Sequence, residues 1–178
     1  MSESTQFSPN SSFQESGHFA SDPASQTASH ADQDLLDQAR QQGQAQQLPF
    51  AGTVTPIQAW QLVQDGVAQL VDVRTAEERK FVGEVPNSWH VAWMTGLSMN
   101  RNPRFVKEFE VKLKDKNVVA LLLCRSGKRS SAAAEALTKA GFTNIFNIEG
   151  GFEGDINDDK QRGSLGGWRF HSLPWIQD

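Results

Sequence analysis

Cys124 is the one cysteine of the chain and begins the run Cys124-Arg125-Ser126-Gly127-Lys128-Arg129-Ser130. An apolar stretch, Val118 to Leu123, precedes it, and good helix formers, Ser130 to Ala140, follow. That order reads as a buried strand, a polar loop and a helix, with the thiol at the strand's carboxyl end. In parallel α/β sheets this is the end where ligands bind. The helix start supplies free backbone N–H groups and a positive dipole end, which together favour an anion. Gly127 lets the backbone curl so that several amides converge. Arg125, Lys128 and Arg129 add three cations within five residues. The setting favours thiolate, the nucleophilic form of cysteine, with no need for a histidine base.

Two plainer readings stay beside this one. Cys124 could be a small inert core residue at the end of an apolar strand. The basic loop could also hold a phosphate without any chemistry.

Other residues carry weaker signals. Asp72 and Arg74 read as a structural ion pair or turn contact just after a strand. His90 and His171 lack metal-ligand spacing and read as satisfied or solvated imidazoles. Glu153, Asp155, Asp158 and Asp159 lack the spacing of a calcium loop and read as a solvated acidic segment. The five tryptophans read mostly as packing groups, with Trp89 and Trp93 as candidates to line the pocket mouth. No metal and no cofactor are expected.

The elements that would position Cys124 follow from the pattern on either side. Thr55-Pro56 is a helix start, with Ile57, Trp60 and Val63 at helical spacing up to Asp65-Gly66. Ala68 to Val73 is a buried strand. Thr75 to Lys80 is a capped helical turn, with Glu78 three residues after Thr75. Trp89 to Trp93 is a strand after the Pro86-Asn87 turn. Asn102 to Leu113 is a helix with Phe105, Phe109 and Leu113 on one face. Val118 to Leu123 is apolar on both faces and so central. The helix over 130–140 ends at Gly141, and Phe142 to Ile148 is a further strand closed by Gly150-Gly151. Strands alternating with helices predict an α/β domain around a mostly parallel sheet.

The 178 residues suffice for one domain, taken to span residues 49–178. Residues 1–48 are expected to be a disordered or weakly helical tail. Residues 1–30 are rich in Ser, Gln and Ala, with Phe7, Phe13 and Phe19 isolated among polar neighbours. Over 31–47, Leu35, Leu36 and Ala39 give only a thin apolar face. The formal net charge of -4 comes from the first 48 residues, which hold six acids and one base. The rest is close to neutral, which argues against a nucleic-acid or membrane surface as partner. A lone thiol, a start without an apolar leader and no run long enough to span a bilayer together predict a cytoplasmic protein.

The loop CRSGKRS resembles the active-site loop of rhodanese-domain sulfurtransferases. Other segments resemble that family in the same order. Leu70 to Glu78 is similar to its strand-and-turn signature of Asp, any residue, Arg and an acidic helix start. Gly83 to Ser88 is similar to the turn before its next strand. Asn147 to Phe152 resembles its strand ending in paired glycines and an aromatic, and Trp168 to Trp175 its closing segment. The resemblance covers residues 53–178. Three departures stand out. Glu84 stands where many relatives have histidine, Ser172 where glycine often precedes Leu-Pro, and 153–167 is a longer link than compact members have.

The resemblance implies a rhodanese-like three-layer α/β/α fold and a thiosulfate sulfurtransferase activity. Cys124 would take a sulfane sulfur from a small anionic donor such as thiosulfate and pass it, as a persulfide, to a thiophilic acceptor or acceptor protein. Backbone amides from Arg125 through Ser126, Gly127, Lys128 and Arg129 to Ser130 would hold the sulfur. Arg125, Lys128 and Arg129 would attract the donor. Related phosphatases place five residues between cysteine and arginine. Here four separate Cys124 from Arg129, and Ser130 stands at the phosphatase arginine's position. The alternatives are a sulfur-relay carrier or regulatory binding module, and a phosphatase or arsenate reductase.

Overall fold

The computed structural model describes residues 28–177. In chain order its elements are helix α1 (His30–Ala45), strand β1 (Gly52–Val54), helix α2 (Pro56–Gln64), strand β2 (Gln69–Asp72) and helix α3 (Ala76–Val82). Three short strands follow: β3 (Trp89–His90), β4 (Met94–Thr95) and β5 (Asn100–Arg101). Helix α4 (Phe105–Lys112), strand β6 (Ala120–Leu123), helix α5 (Lys128–Lys139) and strand β7 (Ile145–Ile148) complete the order.

Five strands form one sheet in the order β1-β7-β6-β2-β3, and every pairing in it is parallel. Strand β6 is the middle one, as its unbroken apolar run predicts. Strands β4 and β5 form a separate antiparallel pair.

Side-chain alternation along β6 divides the core in two. Ala120, Leu122 and Cys124 face a cluster with Phe105 and Phe109 of α4 and Ala133, Ala134 and Leu137 of α5. Leu121 and Leu123 face the other way, into a cluster with Leu36 and Ala39 of α1, Ala59 and Leu62 of α2, and Phe146, Ile148, Phe152 and Trp168. Helices thus cover both faces of the sheet, giving the three-layer arrangement. Cys124 continues the strand's alternation and falls on the α5 side.

The local signals explain the element boundaries. Thr55 and Thr75 each accept a hydrogen bond from the amide three residues on, and Gln58 and Glu78 reach back to their amides. Helix α4 begins at Phe105 rather than Asn102, because the Asn102 carboxamide oxygen accepts from the Arg104 amide and makes a turn there.

The amino-terminal boundary lies earlier than the sequence pattern puts it. Residues 30–45 form a docked helix rather than a weak one in a tail. The thin apolar face suffices because the backbones meet directly. A Cβ on Gly52 would stand 2.2 Å from the Ala39 carbonyl oxygen, and one on Gly43 would stand 2.7 Å from that of Ala51. Ser29 and Asp32 form a capping box, and Arg40 donates to the Asn144 carboxamide of the main body at 3.0 Å. The expectations for residues 1–27, including Phe7, Phe13 and Phe19, lie outside the described residues.

Candidate active site

The thiol of Cys124 sits at the carboxyl end of the central strand with 1% of its surface exposed. Its Sγ accepts a hydrogen bond from the Gly127 amide at 3.2 Å. The bend that makes this possible puts Gly127 at φ +89°, a conformation that strains any residue with a Cβ. The Ser130 hydroxyl lies 3.2 Å from the same sulfur, 3.1 Å from the Gly127 carbonyl oxygen and 2.6 Å from the Asn147 carboxamide oxygen, three acceptors for its single proton. The amides of Arg125, Ser126, Lys128, Arg129 and Ser130 have no backbone partner among the described residues. Those of Lys128, Arg129 and Ser130 form the open end of α5, where backbone donors and the helix dipole favour negative charge.

The loop is stapled from behind. The amides of Phe152 and Glu153 donate to the carbonyls of Cys124 and Arg125 at 2.7 and 2.9 Å. Gly151 lies so close that an added Cβ would meet the Cys124 carbonyl oxygen at 2.4 Å. With those carbonyls tied back they do not compete for the site, and the Gly127 amide is the one that points at the sulfur.

The three loop cations do not behave alike. Arg125 and Lys128 are exposed. Arg129 is mostly buried and grips both carboxylate oxygens of Glu78, at 2.7 and 2.6 Å. Its charge is therefore matched inside the protein and is not free for a donor, unlike the expectation from sequence. Burial opposes ionisation of both partners, but their mutual hydrogen bonds and attraction prevail. Glu78 is held below its ordinary value and Arg129 above its own.

A second charged pair supports the floor of the site. Arg74 and Asp72 are both fully buried and joined at 2.7 Å. Arg74 also donates to the Gly83 carbonyl and lies 4.1 Å over the Phe152 ring. His90 places Nε2 2.8 Å from the Arg74 carbonyl oxygen, the satisfied imidazole its spacing suggests. Glu84 binds Arg79 through its carboxylate, and its backbone pairs with Ile176. Ser172 adopts φ +54°, the left-handed conformation that glycine would take more readily. Trp93 is buried edge-on against Phe105. Trp89 lines a groove with Trp60 and Val118, beside the start of β6, at the opposite end of the sheet from Cys124. Trp89 is therefore remote from the cysteine loop, while Trp93 is buried in the same core cluster as Cys124.

Beside the loop lies a polar cleft of about 720 Å³, whose lining includes Ser126, Gly127, Lys128, Ser131 and Asn147. No helix among the described residues is long and apolar enough to cross a membrane. No group of three or more His, Cys, Asp or Glu that could hold a metal occurs among them.

Residues 55–157 match the family model described as Rhodanese-like domain. An uncharacterized RP600 homolog from Rickettsia rickettsii is 41% identical over 115 residues, covering 64% of this chain and 87% of that protein. The thiosulfate sulfurtransferase GlpE of Glaesserella parasuis is 28% identical over 60% of this chain and 87% of its own length. The crystal structure of Rv0390 from M. tuberculosis superposes with a TM-score of 0.63 at 39% identity, covering 72% of this chain and 99% of that one.

Proposed function

Since the chain belongs to the rhodanese-like domain family, we propose that it is a sulfurtransferase that carries sulfane sulfur as a persulfide on Cys124. The observation that carries the reading is the Gly127 amide at 3.2 Å from Sγ, at the start of a helix whose other first-turn amides are open. A terminal sulfur would stand about 2 Å beyond Sγ, the length of a sulfur–sulfur bond. The loop amides supply its hydrogen bonds without a cofactor. Arg125 and Lys128 attract an anionic donor such as thiosulfate, while Ser130 orients the sulfur. Thiolate attack on the donor's outer sulfur forms the persulfide and expels sulfite; a thiophilic acceptor then removes that sulfur.

The chain's similarity to a named thiosulfate sulfurtransferase supports thiosulfate as donor. The phosphatase alternative loses support because Arg129, the loop's nearest analogue of a phosphate-binding arginine, is clamped by Glu78. Intact mass spectrometry after thiosulfate treatment tests the proposal. A gain of about 32 Da, one sulfur atom, is expected, removed by cyanide and absent in Cys124→Ser. Undiminished sulfur uptake in that variant would end the proposed role of Cys124.

A further inference from the structure

The cleft beside the loop has one wall that the family-matching region does not supply. Gln42 of α1 and Gln46, which follows its end, face it with Thr53 of β1, and all three lie before residue 55. Its charged groups are Lys128, Glu149 and Asp155, all exposed. None of the three takes part in an ion pair among the described residues. The cleft therefore offers one free cation, two free carboxylates and carboxamides that both donate and accept.

That lining suits a particular chemistry. A purely anionic ligand gains one cation and meets two carboxylates, so the cleft as a whole matches a molecule of mixed charge better than an anion, although Lys128 at its loop edge can still attract a donor. An apolar ligand would strand the amides and hydroxyls without partners. A molecule with an ammonium and a carboxylate can satisfy both signs at once. The volume, about 720 Å³, is ample for an amino acid or a short peptide. The cleft also reaches the reacting atom's neighbours. Gly127, which lines it, donates to Sγ, and Asn147, which lines it, holds Ser130 against the same sulfur.

We infer that this cleft binds the sulfur acceptor, and that the acceptor is a small zwitterionic thiol of the amino-acid type. The inference rests on the persulfide reading above. The acceptor's thiolate attacks the outer sulfur of the Cys124 persulfide and forms a new S–S bond. The bond between that sulfur and Sγ breaks, and its electron pair returns to Sγ as thiolate. The proton that the acceptor's thiol gives up on attack passes to the outer sulfur, which the loading step left as an anion, so the product is the acceptor's own persulfide and no oxidant or reductant is required. Lys128 faces the acceptor's carboxylate, Glu149 and Asp155 its ammonium, and Gln42 and Gln46 its polar backbone.

S-methylcysteine keeps both charges and cannot accept sulfur, so it reports binding alone. Titrated into the full chain, it is expected to shift the amide resonances of Gln46, Thr53 and Glu149. The double variant Glu149→Gln/Asp155→Asn, altered only at exposed positions, should weaken binding at least tenfold. The analogue 3-(methylthio)propionate, which lacks the ammonium, should bind at least tenfold more weakly to the wild type. No shifts, equal binding of the two compounds or an unaffected double variant each overturns the inference. Sulfur uptake by Cys124, read by mass in the same samples, separates the two ideas. Uptake without binding removes the acceptor cleft and leaves the sulfurtransferase standing. Binding without uptake removes the acceptor role along with the sulfurtransferase.

Discussion

Arg129 and Glu78 stand 51 positions apart and meet through two hydrogen bonds, joining the start of α5 to the start of α3. Glu78 also accepts from the Thr75 amide, so one carboxylate caps a helix and fixes the far side of the cysteine loop. The pair is mostly buried, with 13% and 17% of the two side chains exposed. In such a place the loss of one partner leaves the other's charge poorly solvated.

Glu78→Gln is expected to lower stability by about 2 kcal/mol, as for a lost charge-assisted hydrogen bond in a mostly buried site. Arg129→Met should be equally harmful alone. The double replacement Glu78→Leu/Arg129→Met should recover most of the loss, because no unmatched charge remains. Urea midpoints of the three variants check this.

The same pair predicts an acid response. Glu78 is held below its ordinary value of 4.5, so its stabilising effect is complete above that pH and disappears as pH falls through the lowered native value. The stability gap between wild type and Glu78→Gln should therefore be constant at neutral pH and shrink only below about 4.5. A gap that closes between pH 6 and 8 would contradict the assignment.

Ser130→Ala should keep the fold and slow sulfur uptake from thiosulfate about tenfold, as expected if the hydroxyl turns its single proton from the Asn147 oxygen to the charged sulfur during loading. Asn147→Ala should act in the same direction and more weakly, since it orients Ser130 and does not itself contact Sγ. Pre-steady-state loading rates, followed by mass, distinguish the two. Loading at the wild-type rate in Ser130→Ala would remove that hydroxyl from the mechanism.

Gly151→Ala should abolish sulfur uptake and destabilise the protein by more than about 2 kcal/mol, because φ is +57° and the new Cβ would meet loop backbone. Gly163→Ala is the control. It has φ +90° with open space around it, so it carries conformational strain alone. Similar losses in both would show that backbone strain, not the approach to Cys124, sets the requirement at Gly151.

Arg125→Gln and Lys128→Gln should each raise the KM for thiosulfate several-fold and leave stability within about 0.5 kcal/mol, as for other surface replacements. Arg129→Gln should do the reverse, with lower stability and a smaller change in KM. Steady-state kinetics beside thermal melts decide between the two kinds of cation.

The parts of the fold set by local chemistry were legible beforehand. The apolar run before Cys124 marked the central strand, and Thr75 with Glu78 marked the start of α3 as a capping box. What was not legible depends on distant parts of the chain. Nothing near Glu78 tells that its carboxylate also faces Arg129. Docking of α1 was hidden because two glycine contacts, rather than a broad apolar stripe, bring its backbone against Ala51 and Gly52. Asn147 does carry a signal in the sequence. It is the polar residue in Ile145-Phe146-Asn147-Ile148, a strand buried throughout, and such a residue needs a partner.

That the chain has one cysteine has a consequence for turnover. If Cys124 carries sulfur as proposed, no second thiol of the chain could fold back on it, so a loaded molecule could not discharge itself by closing an internal disulfide. It would wait for an outside nucleophile, and donor and acceptor would alternate in ping-pong fashion. A molecule loaded and then stripped of donor should keep its cargo until an acceptor arrives.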